Sequence, residues 1–219
     1  MDFEQLLDLS DRFSEHLASF MGELPITAAA HLPAAAAAAL SLEHAGALRL
    51  LFSAGAPQSA CALLRLQYEA LLRGAWLIYA APAAASEKLA TSLAPGSQQA
   101  AKNMAGAKTM LEQLQRAMES NPALIGLVKP LAEIRDISWD AMNSFVHAGL
   151  HPLARTNEGF PRELAANVVR QSNAMQHMAA RLLARLSDDS SGLVARQVDS
   201  TWMQHEECLP MAIAHSGRG

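Results

Sequence analysis

The sequence predicts an all-α fold, a bundle of seven to eight helices, and three observations carry that prediction. Alanine supplies much of an apolar content of 51%, while aromatic residues make up only 5%. Alanine has the best helix propensity and lets helix backbones approach closely, whereas sheets draw on β-branched and aromatic side chains. No segment alternates polar and apolar residues over a strand's length, whereas apolar residues recur at three- and four-residue spacing along most of the 219 residues. Proline and glycine fall between these periodic stretches and punctuate them.

The first helix is expected from Phe3 to about Met21, with Asp2 as its N-cap and an apolar stripe of Leu6, Leu7, Phe13 and Leu17. Pro33 opens a second helix that runs to about Ala54, with His44 on its apolar side, and Gly55 stops it. The third follows Pro57-Gln58-Ser59 and reaches about Ala81. It is apolar nearly all round, which predicts a central, buried helix. A short helix is expected at Ser86–Leu93, and a longer one from about Gln98 to Glu119. The next starts near Leu124, meets Pro130, and ends about His147–Gly149. Leu150 to Pro161 reads as a long loop, the kind of connection that more often carries function. A long helix from about Arg162 to Leu186 and a last one at about Leu193–Glu207 complete the set. The whole reads as one domain over 1–213 with a disordered tail at 214–219.

The formal net charge of -4 gives no broad basic footprint for nucleic acid. Cys61 and Cys208 share no motif spacing and read as free thiols in a reducing, cytoplasmic setting. The acidic start, Met1-Asp2-Phe3-Glu4, lacks the basic region of a secretory signal, and the apolar runs read as too short to span a membrane. No His-Glu-x-x-His, Glu-x-x-His, glycine-rich phosphate loop or Gly-x-Ser-x-Gly elbow occurs, so no metal and no cofactor is expected.

Three polar stripes interrupt the apolar helices. Arg65, Glu69 and Arg73 stand at four-residue spacing on the third helix. Glu133, Asp136, Asp140, Asn143 and His147 follow at spacings of three and four, and Arg170, Asn173, His177 and Arg181 form the third stripe. Every amphipathic helix needs a polar face. Charges on a buried helix, however, must be paired, so the first stripe is either a structural ion network or a site. Asn143, Ser144 and His147 place an amide, a hydroxyl and a titratable imidazole within about one turn, at a helix end leading toward His151. The candidate cluster is therefore Arg65, Glu69, Arg73, Asp140, Asn143, Ser144, His147 and His151, with the first stripe facing the second. A pocket lined by Arg65, Arg73 and Trp76 would suit a small anionic ligand.

The run SACALLRLQYEALLRGAWLIYA at Ser59–Ala80 and NSFVHAG at Asn143–Gly149 resemble an uncharacterised all-helical family of bacterial proteins. Leu42-Glu43-His44 and Arg170-Gln171-Ser172-Asn173 extend that resemblance over roughly Leu40 to Leu186. The chain also resembles HEPN-type helical domains, many of which are metal-independent RNases of toxin–antitoxin and phage-defence systems. Their signature is an arginine, four to six residues, then histidine. Asp140, Ala141 and Met142 occupy the arginine positions before His147, a departure, whereas Arg170 and His177 fit with six residues between. That resemblance implies that His177 or His147 takes the 2′-hydroxyl proton of RNA, an arginine stabilises the phosphate transition state, and the protein acts as a dimer. The first expectation is a non-catalytic interaction or regulatory module. The RNase and the anion binder are the alternatives. Ten methionines and abundant alanine point to apolar surface left for a homodimer or a partner protein.

Overall fold

The computed structural model describes residues 1–22, 24–90 and 104–210. Among them are nine α-helices and no strand: α1 Phe3–Met21, α2 Leu32–Ser53, α3 Pro57–Tyr79, α4 Ala83–Ala90, α5 Ala107–Ser120, α6 Ile125–Val146, α7 Leu150–Glu158, α8 Arg162–Leu186 and α9 Leu193–Gln204. The all-α bundle is as expected, with more helices than seven or eight.

The ends follow from local chemistry. Asp2 accepts from the Gln5 backbone N–H at 2.8 Å and Gln5 returns a bond to the Asp2 N–H, a complete capping box for α1. Pro33 and Pro57 sit in the first turns of α2 and α3, where a missing N–H costs nothing. α6 runs unbroken through Pro130.

Three expectations are corrected. The stretch read as a loop from Leu150 to Pro161 is mostly helix α7. Pro152 falls at its third position, where proline is still tolerated, and Gly159 closes it. The helix expected from Gln98 to Glu119 is interrupted at the irregular Met104–Gly106, α5 begins at Ala107, and residues 98–103 lie outside the described residues. The last helix ends at Gln204, and Glu206–Cys208 form a separate 3-10 turn. The tail at 214–219 also lies outside the described residues.

α3 is central, packing on α2, α5, α6 and α8. The α2–α3 pair is the most extensive in the molecule. Small residues make it close: a Cβ on Gly74 would lie 3.1 Å from both the Ala34 carbonyl oxygen and Leu182. The buried side of α2 is built from Ala34, Ala38, Ser41, Ala45 and Leu48, while Leu40 is exposed and His44 only half-buried. By length and composition the segment Ala29–Ser53 is apolar enough to cross a membrane, a feature the sequence reading missed. Here it packs on α3 and α8 through one face and buries Arg49, while only 33% of its apolar window is buried.

A polar seam runs through the helix interfaces. Arg49 donates to Asp11 at 2.7 Å and to Gln176 Oε1 at 3.1 Å, and Gln176 in turn donates to Ser14 at 2.5 Å. Gln67 donates to the Ser172 carbonyl at 2.8 Å and accepts from the Ser172 hydroxyl at 2.7 Å. Ser41 donates to the Gln67 carbonyl. Asn173 donates to Ser10 and to the Cys208 carbonyl, both at 2.8 Å. These bonds fix the rotation of α1, α2, α3 and α8 relative to one another, because polar groups that leave water must find partners.

Candidate functional site

The candidate cluster forms around Arg65. Its side chain is 13% exposed, projects from α3, and donates to Asn143 Oδ1 on α6. It also donates to Glu69 Oε1 at 2.7 Å. Its guanidinium carbon lies 3.6 Å from the centre of the Trp139 ring, while Arg135 lies 4.9 Å from the same ring. The Nε atoms of Arg65 and Arg135 are buried without a hydrogen-bond partner. The electron-rich ring face supplies electrostatic compensation that an acceptor at Nε would otherwise give. Trp139 stacks edge-on against Tyr68, whose hydroxyl donates to the Leu131 carbonyl at 3.1 Å.

Only part of the second stripe meets the first. Asn143 and Trp139 turn toward α3, while Glu133, Asp136, Asp140 and His147 face solvent. Glu133 has an exposed partner in Lys129 at 3.9 Å. Arg73 makes no ion pair among the described residues. Trp76 is buried and donates its indole N–H to Gln113 on α5 at 2.6 Å. The ring is thus committed to a helix contact rather than to a pocket with Arg65 and Arg73.

The α6–α7 turn accounts for the Asn143–Gly149 segment residue by residue. Asn143 receives Arg65, and its carbonyl accepts the His147 N–H at 3.0 Å. Ser144 Oγ accepts the His151 N–H at 3.0 Å in the first turn of α7. Phe145 packs near Phe160 and His151. Ala148 takes a φ of 49° to reverse the chain, and the Gly149 N–H bonds the Ser144 carbonyl at 2.8 Å. A Cβ on Gly149 would lie 2.7 Å from Ser144 Oγ, so any larger residue would have to displace that hydroxyl. His147 is exposed, and its side chain makes no hydrogen bond, ion pair or ring contact among the described residues. His151 lies on a helix rather than on a loop, and it too is exposed.

The third stripe divides. His177 is buried, its Nε2 is 2.9 Å from the Val198 carbonyl, and its ring meets Trp202 edge-on. Burial holds its pKa below the ordinary value, against the upward pull of that carbonyl. Arg170 stands seven positions back, a rise of about 10 Å, and its nearest partner is the Met1 sulfur at 4.0 Å. Arg181 pairs with Asp199 at 2.7 Å. Burial pushes the Cys61 thiol up to about 12 and the Cys208 thiol up to about 11, so neither is a thiolate near neutrality. Among the described residues no group of three His, Cys, Asp or Glu side chains is placed to hold a metal ion.

The polar seam through Arg49, Gln67, Ser172 and Gln176 was invisible as a group in the sequence. Its members lie on three helices, α2, α3 and α8, and each looks like an isolated polar residue. The one signal was the run Arg170-Gln171-Ser172-Asn173, where two adjacent residues turn inward together.

These features define the chain as an all-α helical-bundle protein whose polar side chains largely serve one another. It belongs to a family of unknown function (DUF6988), whose model matches residues 38–211. No curated protein and no solved structure matches it.

Proposed function

We propose that the protein is a non-catalytic interaction module, and that the surface it offers is the α6–α7 edge with a second copy of the chain as first partner. The observation that carries this reading is on α7. Leu150 and Leu153 are 78% and 60% exposed and, three residues apart, share one face of that short helix. Two leucines side by side on one short helix put apolar surface in one place, and contiguous apolar surface is what contact sites are made of. Ile137, 69% exposed, lies on the adjoining α6, and His147 follows its last residue.

The groups an enzyme would use favour the same reading. Arg65 is spent on Asn143, Glu69 and Trp139, and Ser144 caps α7. The imidazole of His177 is held by a backbone carbonyl inside the fold. The ring borders a cavity beside Trp202, but it is only 5% exposed and its Nε2 is taken by that carbonyl, which disfavours it as a general base.

RNA cleavage and toxicity on expression separate this reading from the RNase alternative. Parent, His147→Ala and His177→Gln proteins are compared on single-stranded RNA with chelator present. The expected outcome is no cleavage and no growth arrest. Cleavage by the parent, lost in a variant that melts like the parent, would replace the interaction module with an enzyme.

A further inference from the structure

We propose that the groove between α3, the start of α6, α8 and α9 binds a small organic anion, a carboxylate or phosphate monoester carrying an apolar body. This goes beyond the interaction surface, which lies at the other end of α6.

The groove contains a cavity of about 370 Å³, within the size range of small-molecule sites. Arg181 and Arg185 reach it from successive turns of α8, and Asp199 from α9 is the one acidic residue in its lining. Asp199 is already bonded to Arg181 at 2.7 Å, which orients that guanidinium. Arg185 is exposed and has no ion-pair partner among the described residues. The lining therefore carries two positive charges against one negative.

Neutral polar groups stand beside them. Tyr79 closes the end of α3 and Asn121 precedes α6, offering a phenol and an amide to the same space. Gly126 borders Arg181: a Cβ there would stand 3.7 Å from Arg181 Nη1, in ordinary van der Waals contact. The first turn of α6 supplies no acidic side chain and no side-chain cap, so nothing there offsets the arginines.

The rest of the wall is apolar. Leu124, Leu127, Met178 and Leu182 line the same cavity. A second cavity of about 380 Å³ shares Gly126, Met178, Arg181 and Asp199 and continues toward Trp202 and Met203. A cationic and hydrogen-bonding end joined to an apolar trough is complementary to an amphipathic anion. An inorganic ion would leave the trough unfilled. Arginine binds either a carboxylate or a phosphate through paired N–H donors, so the head group is left to the probe.

The test is calorimetric titration of the full chain with phenyl phosphate and, separately, with hexanoate. Saturable binding of at least one is expected, with the preferred probe identifying the head group. Arg185→Ala is expected to weaken it about tenfold or more while melting like the parent, because that exposed side chain has no ion pair among the described residues. Arg162→Ala, in the separate cavity between the starts of α1 and α8, is expected to bind as the parent does. No saturable binding of either probe up to roughly 10 mM would overturn the proposal, as would equal affinity in Arg185→Ala.

Discussion

Gly149 rests directly on Ser144: its N–H meets the Ser144 carbonyl at 2.8 Å, and a Cβ would stand 2.7 Å from the Ser144 hydroxyl oxygen. This contact sets where α6 stops and in which direction α7 leaves, and so it places Leu150 and Leu153 on the surface.

Gly149→Ala is therefore expected to destabilise the protein by about 1–3 kcal/mol in denaturant unfolding, the usual cost of overpacking. The Ser144→Ala/Gly149→Ala pair is expected to lose less than the sum of the two single changes, because removing the hydroxyl relieves the clash. Strict additivity would contradict the geometry.

Asn143→Ala removes the acceptor that α6 offers to a largely buried arginine. Arg65 keeps Glu69 and the Trp139 ring, so the cost is partial, about 1–3 kcal/mol. Glu69→Ala is expected to cost no more than that, since Glu69 is itself 33% exposed. Chemical denaturation measures both. A loss beyond about 4 kcal/mol for Glu69→Ala would mean that it alone compensates Arg65.

Acid is expected to weaken the fold through its histidines. Burial lowers the pKa of His177, and of His44 despite the upward pull of Glu43. At His205 burial and then His16, 3.0 Å away, act in the same direction. Unfolding releases each ring to its ordinary value of about 6.5, so near and below that pH the unfolded chain binds more protons. Their contribution is complete above about pH 6.5 and is lost as pH falls through the folded-state values. The Tm is expected to drop between about pH 7.5 and pH 5.5, less steeply in His177→Gln. A flat or rising Tm over that interval would be the contrary result.

Helix positions were largely legible in the sequence, because Asp2, Pro33, Pro57 and the apolar spacing of α3 and α8 act through local rules. α7 was not, since Pro152, Asn157 and Gly159 carry turn signals whose meaning depends on position within a helix. The pairing of Arg65 with α6 was legible from the burial of α3. That the acceptor is Asn143, and that Asp140 stays in water, depends on the rotation of α6, which spacing alone leaves open. His177 read like any member of a polar stripe, yet its placement depends on Val198, more than twenty residues away in the chain, for a buried partner. Arg185 escaped notice because the sequence has no signal for a groove made by four helices.

Light scattering at micromolar concentration tests the central claim, that the exposed leucines of α7 are an interface, most directly. The account predicts a parent of twice the chain mass. It predicts a Leu150→Glu/Leu153→Glu variant of single mass with an intact helical spectrum, since neither side chain contributes to the core. A parent that is monomeric, or a variant that remains a dimer, would contradict it.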